Sequence, residues 1–204
     1  MDKGFIIVIS GPSGVGKGTL VGELLKNSDD FALSISATTR QPREGEVHGV
    51  NYFYITKEEF LDKVNNNGML EYAQYNGNYY GTPREYVEST TQNGKNIILE
   101  IEVQGAKKIQ DMGLSVVTIF VMPPSWEVLK KRLMGRGTET EDVIENRLNI
   151  AKEEMTQADK YDYIVINDHL PDCVEDIKKI IDSEKWKRNN MLNFVEGVLN
   201  DANA

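Results

Sequence analysis

The sequence predicts an α/β fold in which a largely parallel sheet is flanked by helices. Three features carry that prediction. Short apolar runs, Phe5-Ile6-Ile7-Val8-Ile9, residues 97–101, Val116 to Met122 and Tyr163 to Ile166, alternate with helical stretches. The runs are apolar almost throughout rather than alternating, as strands covered on both faces must be. The first of them passes directly into a glycine-rich segment that opens a helix.

In chain order, residues 5–9 read as a buried strand and 17–27 as the helix that follows. Residues 33–81 are polar and rich in Tyr, Asn and Gly, with short alternating pieces, and read as a small mixed α/β insertion. Within it Thr56-Lys57-Glu58-Glu59 is a capping-box helix start. Thr82-Pro83-Arg84-Glu85 starts the next helix, with Thr82 as its expected cap and Pro at the first position. A helix near 104–112 joins the strands at 97–101 and 116–122. A second insertion, 126–158, is helical: Thr138-x-x-Glu141 caps a helix whose Ile144, Leu148, Ala151 and Met155 form a packing stripe. The core is thus expected over 1–32, 82–125 and 159–185, with 186–204 as an amphipathic helical tail.

Composition narrows the function. At 204 residues the chain is long enough to bury roughly 70% of its unfolded surface without a metal or disulfide staple. It is 40% hydrophobic and 27% charged, with mean hydropathy -0.44, which suits a folded globule and excludes disorder as the main state. No apolar run approaches the roughly 20 residues that a bilayer needs, and the short N-terminal run does not read as a signal peptide. The single cysteine, Cys173, forbids an intramolecular disulfide, and two histidines leave little for a zinc site. The expected location is the cytoplasm. A net charge of -9 argues against a general nucleic-acid binder, so any phosphate ligand must be met by locally gathered cations.

One such place is Gly11-Pro12-Ser13-Gly14-Val15-Gly16-Lys17-Gly18-Thr19, lying between a strand and a helix. Backbone N–H groups of such a loop converge on phosphate oxygens, the helix N-terminus adds partial positive charge, and Lys17 reaches the β- and γ-phosphates of a nucleotide. The residue after the lysine is Gly18, where the general motif carries Ser or Thr for magnesium, so Thr19 is the nearest hydroxyl. A second place is Arg40-Gln41-Pro42-Arg43, whose two guanidiniums can close on one phosphate.

Five separated motifs extend the pattern: the cradle at 11–19, Thr38-Thr39-Arg40-x-Pro42-Arg43-x-Gly45-Glu46, Gly77-Asn78-Tyr79-Tyr80-Gly81-Thr82, Glu100-Ile101-Glu102-Val103-Gln104-Gly105 and Arg132-Leu133-x-Gly135-Arg136-Gly137-Thr138-Glu139. Together they make the chain, from about residue 4 to about 185, resemble a bacterial guanylate kinase, a P-loop nucleoside monophosphate kinase. The resemblance implies reversible transfer of the ATP γ-phosphoryl group to GMP, and dGMP as well, in purine nucleotide metabolism. ATP would lie on the cradle at 11–19 and Mg²⁺ would accompany it. The insertion at 33–81 would hold GMP, and the segment 126–158 would close as a lid.

Residue by residue, the resemblance assigns Arg40, Arg43, Tyr52 and Tyr80 to the GMP phosphate. Glu71, Ser36 and Thr82 take the guanine. Guanine presents N–H donors at N1 and N2 and an acceptor at O6. A carboxylate accepts from the two donors and a hydroxyl donates to the acceptor. Adenine has an acceptor at N1, which would leave the carboxylate mispaired. Glu100 and Glu102 lie two apart at the carboxyl end of a strand, where ligands of open α/β sheets bind. Glu102 is the one expected to touch the nucleotide; the division of magnesium shell and guanine contact between Glu100 and Glu102 stays open, with Thr19 and Glu100 the candidates for magnesium, partly through water. Arg132, Arg136 and Arg147 match the lid arginines that neutralise the transferring phosphoryl group. Without an anion between them, Arg132 and Arg136 repel at helical i, i+4 spacing. Asn167 matches a residue near the ATP base. His48 and His169 have no part, because the acceptor is a phosphate anion and requires no general base. Monomer and homodimer are both compatible with the sequence, as are two other readings: a non-catalytic guanylate-kinase-like interaction module and a P-loop kinase for another nucleotide.

Overall fold

The computed structural model describes residues 3–26, 28–135 and 141–202. Along the first half of the chain the elements are β1 (Ile6–Ser10), α1 (Lys17–Lys26), β2 (Phe31–Leu33), β3 (Ala37–Thr38), β4 (Phe53–Tyr54), α2 (Lys57–Asn65), β5 (Met69–Tyr75) and β6 (Asn78–Pro83). Then follow α3 (Arg84–Gln92), β7 (Asn96–Glu100), α4 (Val103–Asp111), β8 (Val116–Met122) and α5 (Trp126–Met134). The chain closes with α6 (Glu141–Met155), β9 (Tyr163–Ile166), α7 (Leu170–Glu184) and α8 (Arg188–Ala202).

Five strands form one sheet in the order β2-β7-β1-β8-β9, every pair parallel. The burial pattern explains the unbroken apolar runs. Ile7 and Ile9 of β1, Ile98 of β7 and Val117, Ile119 and Val121 of β8 pack on one face, with Leu20 and Leu24 of α1 and Ile177 and Ile181 of α7. Val8, Ile97 and Leu99 point to the other face and meet Val87 of α3 and Ala106 and Ile109 of α4. Successive side chains alternate sides, and with both sides covered nearly every position of β1, β7 and β8 is apolar; the buried Thr118 of β8 is the exception in mid-strand and donates to the Asp162 carboxylate. The run at Tyr163–Ile166 departs from the expectation of two covered faces: β9 lies at the sheet edge and its Ile164 and Ile166 are exposed.

A smaller sheet, in the order β4-β3-β6-β5, projects from the carboxyl edge of the first. Its β3–β4 pair is parallel and the rest antiparallel. Ala37, Phe60 and Met69 form its own core, with Phe60 stacked on Tyr79 at 5.4 Å between ring centroids. The capping box forms as expected: the Thr56 hydroxyl accepts from the Glu59 amide, and the Glu59 carboxylate accepts from the Thr56 amide. One register shift interrupts β5 between Met69 and Glu71, where Met69 faces Pro83 but Glu71 faces Thr82. The extra residue, Leu70, is buried in the core of the large sheet.

Helices α5 and α6 pack on each other through Leu129, Leu133 and Ala151, with Leu148 and Met155 alongside. The expected cap at Thr138 and the arginine at 136 lie outside the described residues. Helix α8 buries none of its residues and exposes Leu192, Phe194, Val195, Val198 and Leu199. Among the described residues no helix is long and apolar enough to cross a membrane. Cys173 is buried against α1, and desolvation lifts its thiol to about 11, well above the thiolate range at neutral pH.

Candidate nucleotide-binding site

The cradle grows out of the way β1 leaves the sheet. At Gly11 a Cβ would sit 2.4 Å from the Val121 carbonyl oxygen of β8, so only glycine lets the chain turn so close to its neighbour. At Gly16 the backbone has φ +96°, and a Cβ would lie 2.8 Å from the Asn167 side-chain nitrogen. Helix α1 then begins with no acidic residue in its first turn, which leaves its positive end for an external anion. The Lys17 ammonium folds back over the loop and donates to the Gly11 carbonyl at 2.5 Å and the Pro12 carbonyl at 3.2 Å. Burial draws its pKa below the usual lysine value, against the raising effect of Glu154, Glu100 and Glu102. All three carboxylates therefore face this one cation.

The second cation group is organised by a residue that the sequence reading quoted only as part of a motif. Arg40 makes a bidentate pair with Glu46, at 2.9 Å for each nitrogen, and also donates to the Gln41 carbonyl. The same carboxylate accepts from the Arg43 amide at 2.7 Å and the Tyr54 hydroxyl at 2.9 Å. Those bonds hold Glu46 near 2, far below the ordinary glutamate value, with Arg40 the main cause. Its contribution to stability is accordingly present above the unfolded glutamate range and lost only as pH falls toward 2. The Arg40 guanidinium lies 5.5 Å from the Tyr52 ring centroid and 5.8 Å from that of Tyr54, and Tyr80 meets Tyr52 edge-on at 6.1 Å. Arg40, Tyr52 and Tyr80 thus form one cluster, with Arg43 exposed beside it on the same loop.

The bulge at Leu70 turns Glu71 toward Thr82, whose buried hydroxyl donates to the Glu71 carboxylate at 2.7 Å. This corrects the expected helix start: α3 begins at Arg84 with Pro83, which has no side-chain acceptor, as its cap residue, so Thr82 stays in β6 and its hydroxyl goes to Glu71. Gly105 of α4 comes close on the other side, its Cβ position 3.5 Å from the second Glu71 oxygen. Burial raises the Glu71 pKa, countered first by Thr82 and then by Lys108. Ser36, half-buried in the preceding strand connection, accepts through its carbonyl from the Phe53 amide at 2.9 Å.

Between the two groups stands the end of β7. Glu102, the residue before α4, lies within electrostatic reach of Lys17, Glu71 and Glu154. The Glu100 carboxylate lies 3.6 Å from a Cβ position on Gly18, and desolvation raises its pKa while Lys17 lowers it. Thr19 is exposed one residue further on. Among the described residues no group of three or more His, Cys, Asp or Glu could hold a metal ion.

The helical segment over the loop contributes more contacts than the sequence suggested. Arg132 donates to the carbonyls of Val15 at 3.3 Å and Asn167 at 3.0 Å, so in this arrangement it braces the loop. Asn167 is buried and donates to the same Val15 carbonyl at 2.8 Å, tying β9 to the cradle. Arg147 donates to the Ser13 hydroxyl at 2.8 Å. From the same helix, Glu154 accepts from the Ser13 amide at 3.3 Å. Glu154 was not foreseen; its spacing from Arg147 was the available signal, since residues seven apart share a helix face.

A lysine-bearing loop of this kind, set at the carboxyl edge of an all-parallel sheet with arginine-rich elements facing it, puts the chain among the P-loop phosphotransferase folds. The family is narrower. A family model described as Guanylate kinase matches residues 3–184. A guanylate kinase of Bacillus anthracis is 53% identical over 193 residues, covering 94% of both chains. One from Shouchella clausii is 51% identical over 191 residues, covering 94% of this chain and 93% of its own. Among solved structures, guanylate kinase from Anaplasma phagocytophilum superposes with a TM-score of 0.69 at 34% identity, covering 92% of this chain and 89% of that one. The chain belongs to the guanylate kinase family. The SH3-kinase fragment of tight junction protein 3 shares the fold alone, with a TM-score of 0.50 at 9% identity over 91% of this chain and 59% of that one.

Proposed function

We propose that this protein transfers the γ-phosphoryl group of ATP to GMP, giving ADP and GDP, as a cytoplasmic enzyme. The observation that carries the reading is Glu71, half-buried and oriented by Thr82, within electrostatic reach of Glu102, which also faces the lysine of the cradle. The loop amides and Lys17 hold the ATP phosphates, and Arg40 with Arg43, Tyr52 and Tyr80 holds the GMP phosphate. Glu71 and Ser36 read the base, with Thr82 holding the Glu71 carboxylate in place. Phosphoryl transfer between two phosphates needs positioning and charge neutralisation rather than a base, and Arg147 stands over the loop for that purpose. Closure of α5 and α6 would keep water from competing for ATP.

The residues also fit magnesium. Mg²⁺ prefers oxygen ligands and is held by one or two carboxylates together with substrate phosphates, so a complete protein cage is not needed. Glu100, beside Gly18 and facing Lys17, offers such an oxygen, and Thr19 offers a hydroxyl through water. Bound with ATP, the ion would neutralise the β- and γ-oxygens.

The direct test is ADP formation from MgATP with GMP, dGMP, AMP, CMP and UMP offered in turn. Activity confined to GMP and dGMP is expected; equal activity with AMP would discard the guanine pocket while leaving the fold intact. A second test concerns Arg40. Glu46→Gln removes the charged acceptor that splays its guanidinium, and is expected to raise the KM for GMP about fivefold with the KM for ATP unchanged. A parallel rise in both would deny Glu46 its role at the acceptor phosphate.

A further inference from the structure

Helix α6 docks on the cradle as a built interface. Leu133 of α5 packs so closely on Gly14 that a Cβ there would lie 2.6 Å from its methyl carbon, and Leu129 follows at 3.6 Å. Ala151 of α6, fully buried, sits against both leucines. With the helix held in this way, two residues seven apart converge on Ser13, Arg147 on its hydroxyl and Glu154 on its amide. The second contact is the notable one. Ser13 belongs to the loop whose N–H groups are set to receive phosphate oxygens, and Glu154 presents an anionic oxygen to one of them at 3.3 Å. The same carboxylate lies within electrostatic reach of Lys17, the cation that has to meet the phosphates, along with Glu100 and Glu102.

We propose that Glu154 is a positioning residue that holds the lid helix to the ATP loop through the Ser13 amide, and that the phosphates of ATP compete with it for that amide and for Lys17. The carboxylate imitates a phosphate oxygen in charge and in acceptor chemistry, but carries a single charge on a flexible stem. A nucleotide polyphosphate supplies more charge and more acceptors, so it displaces Glu154 and leaves Arg147 to approach the transferring group. Burial of Glu154 favours this exchange, because a partly desolvated carboxylate gives up its place more readily than a solvated one.

The inference rests on ATP lying at residues 11–19, so the test separates the two. MgATP and GMP affinities are measured by titration for the full chain and for Glu154→Gln, Glu154→Ala and Lys17→Ala, with Tm as a check on folding. Gln keeps an acceptor for the Ser13 amide and removes the charge, and is expected to tighten MgATP about fivefold while GMP is unmoved. Ala removes bond and charge together, and is expected to tighten MgATP at least as much with kcat unchanged, since Glu154 has already left the Ser13 amide once ATP is bound. A merely structural Glu154 would lower Tm in both variants without changing the MgATP affinity, and that result, or weaker MgATP binding by Glu154→Gln, overturns the proposal. If Lys17→Ala binds MgATP as the parent does, the ATP assignment falls with it. If Lys17→Ala loses MgATP and Glu154→Gln is silent, only the role of Glu154 is lost.

Discussion

Lys17→Ala is expected to lower kcat by about three orders of magnitude while the protein stays folded, with a Tm close to that of the parent. The fold should survive because Lys17 belongs to neither of the two large-sheet cores, and among the described residues its ammonium bonds to the carbonyls of Gly11 and Pro12 alone. Activity should not survive, for two reasons. The cation that reaches the phosphates is gone, and the carboxylates of Glu100, Glu102 and Glu154 are left facing the site without their shared counter-charge. The second effect makes the loss larger than that of a single contact. Lys17→Arg should restore little, since a planar fork cannot occupy the place of a compact ammonium folded over two carbonyls. Steady-state turnover with saturating GMP measures it. A loss of less than tenfold would remove Lys17 from the reaction.

Glu71→Ala is expected to raise the KM for GMP by two orders of magnitude or more, leaving the KM for ATP where it was, because guanine then loses the acceptor for its paired donors. Glu71→Gln is the more informative change. An amide offers one donor and one acceptor, a pattern that suits the edge of adenine better than that of guanine, so the ratio of GMP to AMP activity should collapse even where folding is intact. The pH dependence points the same way. Burial raises the Glu71 pKa, and only the ionised carboxylate can accept both guanine donors. GMP affinity should therefore fall as the pH drops through that raised value, at a higher pH than an ordinary glutamate would give, and Glu71→Gln should abolish that dependence. Equal weakening of GMP and ATP by Glu71→Ala would end the assignment.

What could be read from the sequence was whatever depends on neighbours along the chain or on simple burial. The strands at Ile6–Ser10 and Val116–Met122 announce themselves because both their faces are covered. The capping box at Thr56 needs only a spacing of three. The cradle is a contiguous stretch whose glycines are demanded by close approaches such as that of Gly11 to Val121. What could not be read depends on where side chains meet in space. Thr82 carries a good cap residue's chemistry, yet its hydroxyl goes to Glu71 across the strand pair, a choice made by a bulge that no local pattern signals. Glu46 lies in a recognisable motif, but that it grips Arg40 follows from the fold of the loop between them. Arg132 turns to the carbonyls of Val15 and Asn167, and Glu154 finds a partner 141 residues away.

The extra residue in β5 bears on how this protein tolerates change in length. Met69 belongs to the core of the small sheet, Leu70 to that of the large one, and Glu71 to the pocket, three destinations for three successive side chains. A strand of even pleat offers only two sides, and a slip of one residue exchanges them. Deleting a single residue here would force a choice between expelling Met69 from its core and turning Glu71 away from Thr82. If Glu71 reads the base as proposed, base selectivity would depend on the parity of a strand, and a one-residue gap at its start would do more damage than many substitutions along its length.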